Sequence, residues 1–266
     1  MKIGALIPIR LESERLPGKI LKEICGRSVF SHLLDRVFSS KFLLPKDVIV
    51  CTTLNRSDDL IVEEATKNGV RFFRGSENDI IDRFWGAAEE NQIDIFIEVD
   101  GDDPCSEPSY MDFCVEELIN DRELGIAFCQ GLPLGIGTKA IRTAALKKIW
   151  DSHLTNRNDT GFIYYFTKTD LVKKKAILPK QKSHINDKAR LTLDYEEDLI
   201  FFNNLFKNLY HEGKIFGIEE IIQLLDIKPE LVEINAFRSK DFWKRTTERA
   251  LLEFRTVEGK TEKIEA

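Results

Sequence analysis

The apolar run at residues 3–9 breaks at once into Arg10-Leu-Glu-Ser-Glu-Arg-Leu-Pro-Gly-Lys19, and this junction constrains the fold more than any other segment. A short apolar run reads as a buried strand, and the turn formers behind it mark a loop at the carboxyl end of that strand. In open α/β sheets that edge is where ligands bind. Arg10, Arg15 and Lys19 place three cations on the loop, Ser13 adds a hydroxyl, and Gly18 lets backbone N–H groups approach an anion closely. The natural guest is a triphosphate; the plain alternative is a solvated surface loop. The loop matches neither Gly-x-x-x-x-Gly-Lys-Ser/Thr nor Gly-x-Gly-x-x-Gly, which weakens the two commonest nucleotide-binding readings.

Further along, the periodicity alternates between strand and helix, as expected of βαβ units. Ser28 is placed to cap a helix with Phe30, Leu33, Leu34, Val37 and Phe38 on one face. Strands are expected at 47–53, 70–74 and 93–99, and helices between Ser57 and Gly69 and over 78–92. The fold class is therefore α/β, Rossmann-like, with a mostly parallel twisted sheet flanked by helices. The third of these strands delivers Asp100, Asp102 and Asp103, hard oxygen ligands of the kind that hold Mg²⁺ against phosphates. Taken alone, Gly-Asp-Asp-Pro at 101–104 is equally an ordinary turn. Asp194 follows the β-prone Leu191-Thr192-Leu193, and an amphipathic helix is expected over 195–210, with Asp198 as a structural cap in its first turn.

A chain of 266 residues with 42% hydrophobic content can bury a full core, as one large domain or one domain with an appendage. No run approaches the roughly 18 apolar residues of a membrane span, and no signal-peptide pattern opens the chain, so a cytoplasmic protein with no membrane partner is expected. The net charge of −6 gives nucleic acid no bulk attraction. Five cysteines without a CxxC pair suggest neither a disulfide framework nor a zinc site, and the four histidines lack ligand spacing. Beyond about Phe237 the chain turns highly charged around Phe242, Trp243, Leu251, Leu252 and Phe254, which reads as a terminal amphipathic helix with 259–266 frayed.

Four segments together resemble the cytidylyltransferases that make CMP-activated sugar acids, the spore-coat polysaccharide branch above all, with CMP-Kdo and CMP-sialic acid synthetases as relatives. These are the loop at 10–19, GSENDIIDRF at 75–84, Gly-Asp-Asp-Pro at 101–104 and RLTLDYEEDL at 190–199. Four motifs in family order over about two hundred residues are far more specific than any one of them. The resemblance implies a nucleotide-diphospho-sugar transferase (GT-A-like) fold, with a nucleotidyltransferase domain at 1–237 and a charged helical extension at 238–266. It implies a Mg²⁺-dependent transfer of CMP from CTP to a Kdo-like or nonulosonic sugar acid, with pyrophosphate released, for surface polysaccharide synthesis. Arg10 and Lys19 become the catalytic cations. Ser13, Arg15, Gly18, Asp82 and Arg83 join them in binding the nucleotide, and Asp102 and Asp194 hold the metal. Family members commonly pair as homodimers. Lys139 stands where the spore-coat branch commonly carries an acidic residue, and Asn-Asp-Thr-Gly-Phe-Ile-Tyr-Tyr at 158–165 replaces its Glu-His-Val-Thr stretch. Lys139 and Arg142 are thus candidates for a substrate carboxylate or phosphate, or simply solvated cations. A nucleotidyltransferase acting on a sugar phosphate or other small hydroxy compound, and a non-catalytic nucleotide-sugar binding subunit, are the two other readings.

Overall fold

The computed structural model describes residues 1–250 and 252–264. Strand β1 (Ile3–Pro8) is followed by a two-residue hairpin of β2 (Glu23–Ile24) and β3 (Arg27–Ser28), and then by α1 (Val29–Phe38). Next come β4 (Val48–Thr53), α2 (Asp59–Lys67), β5 (Arg71–Gly75), α3 (Ile80–Glu90), β6 (Ile95–Glu98) and α4 (Pro108–Asn120). β7 (Ile126–Cys129), β8 (Lys139–Arg142), α5 (Thr143–Ser152), α6 (Tyr164–Thr167) and β9 (Lys174–Ile177) complete the sheet region. The chain ends in α7 (Glu196–Leu209), α8 (Ile218–Ile227), α9 (Glu230–Glu233), α10 (Arg238–Arg249) and the hairpin β10 (Leu252–Arg255) with β11 (Thr261–Ile264).

Seven strands form the central sheet in the order β5-β4-β1-β6-β8-β7-β9, and β8 alone runs against the others. Helices cover both faces, which is why β4 is buried along its whole length. The pleat sorts the side chains of β1. Ala5 and Ile7 pack with Leu33 and Val37 of α1 and Val115 of α4, whereas Leu6 packs with Phe84 of α3 and Ile149 of α5. A third core lies beyond the sheet, where Leu16, Ile24, Leu191 and Leu193 meet Phe202 and Leu205 of α7 and Ile221 of α8. Among the described residues, no helix is long and apolar enough to cross a membrane.

Local chemistry explains the element ends. Ser28 caps α1 as expected, its hydroxyl accepting from the Ser31 N–H at 3.1 Å. The terminal segment departs from expectation. Its helix stops at Arg249, and Leu252, Phe254 and Ile264 then enter the core on the α3/α5 face as an antiparallel hairpin. Alternating burial along β10 wins there over a helical continuation. Leu251 and residues 265–266, assigned by sequence to that helix and its frayed end, lie outside the described residues.

Asp79 caps α3, taking the Asp82 N–H at 2.9 Å on one oxygen and His153 Nε2 at 2.8 Å on the other. Burial works against the His153 imidazolium, but Asp79 outweighs it and raises the group above 6.5, while burial of Asp79 is outweighed by His153 and the amide, which lower it below 3.8. The contribution of His153 is therefore complete below 6.5 and is lost as pH climbs through the raised value; that of Asp79 is present above 3.8 and fades as pH falls through the lowered one. Denaturant unfolding of wild type and His153→Gln should differ most near about pH 5.5 and converge toward about pH 9. A constant difference would mean that folding leaves the histidine's affinity for protons unchanged.

Candidate active site

The carboxyl ends of β1 and β6 lie side by side, and the loops leaving them face each other across a cleft of about 210 Å³. Leu16 is buried in the third core and Ile20 against the α1/α4 face, so the loop is nailed down between its cations. Asp58, itself buried, accepts the Leu11 N–H at 2.8 Å and fixes where the loop departs. Arg10, Ser13, Arg15 and Lys19 all line the cleft. Gly18 does not. It has φ +64° and its N–H donates to the Leu11 carbonyl at 3.1 Å, so it turns the chain and offers no free donor to an anion.

The two acidic segments are brought together by backbone contacts. The Leu193 N–H donates to the Asp102 carbonyl at 2.9 Å, and the Leu191 N–H to the Leu134 carbonyl at 2.7 Å, so residues 191–193 run as an extended connector rather than a sheet strand. Gly101 permits the approach from the other side, since a Cβ there would fall 2.6 Å from Ile9 Cγ1 and 2.8 Å from the Pro8 carbonyl. Asp102 and Asp194, more than ninety residues apart in sequence, thereby share one ammonium: Lys19 Nζ pairs with Asp102 and lies 2.9 Å from Asp194 Oδ1. Arg15 adds a second cation to Asp194.

Asp194 is 1% exposed and Arg190 0%, and the pair is tied into a buried network. Arg190 reaches Asp194 Oδ2 at 2.8 Å and Asp198 Oδ1 at 2.9 Å, and Asp198 Oδ2 accepts the N–H groups of Asp194 and Tyr195 at 2.8 and 2.9 Å. Asp198 is the helix cap that the sequence implied. Burial alone lifts the Asp194 carboxyl, but Lys19 and Arg15 outweigh it and hold the group below the usual carboxylate range. Burial raises Asp102, with Lys19 opposing and Asp194 and Asp100 reinforcing the rise. Lys19 stays charged because the two aspartates more than offset the cost of its burial.

Arg83 and Asp82 part company. Arg83 is buried, lines the cleft and donates to the Ser76 carbonyl at 3.0 Å. Asp82 is exposed and accepts from Trp150 Nε1 at 3.0 Å on the outer side of α3, so the expectation that it binds nucleotide is corrected: one residue is 100° of helix. Lys139 lines a second cleft of about 700 Å³ that opens from the first and shares Arg15, Asp100, Asp102 and Asp159 with it. Its ammonium pairs with Glu98 and, at 2.8 Å, with Asp100, and full burial pushes the Glu98 carboxyl up to about 8.

Arg142 is corrected as well. Because β8 is antiparallel to β6, Lys139 stands opposite Glu98 at the ligand edge while Arg142 stands opposite Ile95 at the far end. There it donates to the carbonyls of Leu118 at 2.7 Å and Leu124 at 3.2 Å. Arg142→Ala should cost about 1–3 kcal/mol in denaturant unfolding, from stranded carbonyls, and leave acceptor KM unchanged within about twofold. A large KM effect would return Arg142 to the substrate.

Three site features had no individual role assigned from sequence, although the stretch at 158–165 stood out as a departure from the family. Asn158 accepts the Ile80 N–H at 2.8 Å and so seats residues 158–160 against α3, from where Asp159 pairs with Arg10 at 2.6 Å. Thr160 and Phe162 line both clefts. Glu14 is gripped by Arg245 and Arg249 of α10. The i,i+4 spacing of those arginines was the available signal, but it does not say what they hold. Of the cysteines, Cys51, Cys105 and Cys114 are buried as small core residues, and His184 bonds Tyr110 and Glu219 at 2.8 Å each, away from the clefts.

The family whose sequence model matches the chain is described as Cytidylyltransferase, and the match covers residues 4–245. The spore coat polysaccharide biosynthesis protein SpsF of Bacillus subtilis is 26% identical over 237 residues, 85% of this chain and 94% of that protein. The 3-deoxy-manno-octulosonate cytidylyltransferase of Geobacter metallireducens is 35% identical over 127 residues, 47% of each chain. A cytidylyltransferase structure from Leptospira borgpetersenii superposes with a TM-score of 0.80 at 27% identity, covering 87% of this chain and 97% of that one.

Proposed function

The chain belongs to the cytidylyltransferase family, and from that premise we propose that it transfers CMP from CTP to a hydroxyl of a sugar acid, Kdo-like or nonulosonic, releasing pyrophosphate with Mg²⁺ as its metal. One observation carries the reading: the cationic loop after β1 and two distant aspartates converge on a single position, Lys19 Nζ, at the junction of two clefts. The names of two relatives, one concerned with spore-coat polysaccharide and one with 3-deoxy-manno-octulosonate, support an acceptor of the sugar-acid class.

The chemistry asks for alignment and charge neutralisation more than for covalent work. The acceptor hydroxyl forms a bond to the α-phosphorus as the bond to the pyrophosphate oxygen breaks. Arg10, Ser13 and Arg15 bind the triphosphate in the narrower cleft, and Lys19 places its charge beside the reacting phosphate, where the developing negative charge is greatest. The wider cleft, walled by Phe162, Lys139 and Tyr164, seats the acceptor. Asp102 and Asp194 are hard oxygen donors already aimed at one cation, and this fits Mg²⁺, which takes one or two protein carboxylates and completes its shell with phosphates and water. They would hold it, and bound there it supplies further neutralisation of phosphate charge. Among the described residues, no group of three or more His, Cys, Asp or Glu side chains is placed to hold a metal by itself.

The test is pyrophosphate release with CTP, Mg²⁺ and a panel of sugar acids, against UTP, GTP and ATP in parallel. Release with CTP and at least one sugar acid is expected. Silence over a broad panel, or equal rates with every nucleotide, overturns the proposal.

A further inference from the structure

The terminal helix α10 buries none of its residues, yet it lies across the mouths of both clefts. What anchors it to the loop after β1 is one carboxylate. Glu14 receives Arg245 Nη2 at 2.8 Å and Arg249 Nη2 at 2.9 Å, and the two guanidiniums hold its carboxyl down at about 2. Both arginines line the narrower cleft beside Arg15 and Lys19, and Arg245 lines the wider one too, together with Trp243 and Thr246.

Like Arg83, which lines the same cleft and donates to the Ser76 carbonyl, this pair lacks a full set of carboxylates. Arg10 is matched by Asp159, and Arg15 and Lys19 are matched by Asp102 and Asp194. On α10, two guanidiniums share one carboxylate whose side chain is 59% exposed, so positive charge is in surplus at the entrance to the cleft. A solvent-facing ion pair is weak and readily exchanged. A triphosphate brings several negative charges and many acceptor oxygens, and arginine forks bind such groups through paired hydrogen bonds.

We propose that Arg245 and Arg249 are phosphate-binding residues, held by Glu14 until CTP arrives and then transferred to its outer phosphates, so that α10 closes over the loop. This rests on the CTP reading above. It assigns a binding role to a helix whose second arginine lies beyond the region the family match covers.

The experiment titrates CTP, inorganic pyrophosphate and CMP against the full-length wild type, Arg245→Ala/Arg249→Ala and Glu14→Gln, by calorimetry. The double variant should weaken CTP and pyrophosphate by about tenfold or more, while CMP, which lacks the outer phosphates, changes by less than about twofold. Glu14→Gln should tighten CTP and pyrophosphate severalfold, because a competitor for the arginines is gone. Unchanged CTP and pyrophosphate affinity in the double variant overturns the proposal. Weaker binding in Glu14→Gln also overturns it, since the cluster would then be a strap that shapes the loop. If the double variant fails to fold, the sign of the Glu14→Gln change decides. Wild type that binds pyrophosphate but not CTP removes the nucleotide assignment, and the pyrophosphate titrations then decide the arginine pair on their own.

Discussion

Replacing Lys19 with alanine should lower kcat/KM by about 10²–10³ while the protein remains folded. Among the described residues its ammonium is the one side-chain group bonded to both Asp102 and Asp194, and it lies at the seam between the two clefts. A preorganised charge in so sheltered a place acts on the transition state, where negative charge on the phosphate is largest, so the loss should appear mainly in kcat. The fold has other supports at this point: Asp194 keeps Arg15 and Arg190, and Leu16 and Ile20 still pin the loop. Asp102→Asn, which keeps the shape and removes a charge, should reduce turnover to a similar degree. Steady-state pyrophosphate release with a denaturant curve on the same preparation separates the outcomes. A variant that loses stability but retains kcat would make Lys19 a structural bolt between two loops.

The second large effect is on stability. Arg190→Met should destabilise the protein by roughly 3–5 kcal/mol, a drop in the unfolding midpoint of about 10 °C. The guanidinium is fully buried and is shared by Asp194 and Asp198, with Asn235 bonded to the Arg190 carbonyl at 3.0 Å and to Asp198 Oδ1 at 2.9 Å. Methionine fills much of the space but leaves Asp198 without its cation in a place that water does not reach. The same change loosens the cap of α7 and the connector that sets Asp194 beside Asp102. Urea unfolding measures it; a change within about 1 kcal/mol would show that the network relaxes or hydrates.

The parts of this site that were legible in the sequence are those fixed by short-range physics. An apolar run followed by turn formers could only be a strand and its exit loop, and the acidic cluster after residues 93–99 had to lie at the same edge of a parallel sheet. Whether Asp82 or Arg83 faces the ligand depends on the rotation of α3, which Asp79 sets from within the motif and Asn158 from far outside it. Arg142 misled because the reversal of β8 is a property of sheet order, and three residues of strand carry a side chain about 10 Å, from the ligand edge to the far end. The terminal hairpin was hidden for a similar reason: Leu252 and Phe254 suit a helix face or a strand face equally until the α3/α5 side of the sheet is present to receive them. Asp159 and Glu14 find their partners across 149 and 231 residues, and no local pattern announces such pairs.

The convergence of the loop at 10–19 with Asp102 and Asp194 around one phosphate is tested most directly by a crystal structure with CTP and Mg²⁺ bound. The triphosphate should lie in the narrower cleft, with Arg10 and Arg15 on its oxygens, Lys19 nearest the α-phosphate, and Asp102 and Asp194 on the metal. A nucleotide seated elsewhere, or one whose phosphates leave Lys19 bridging the two aspartates undisturbed, would contradict the account.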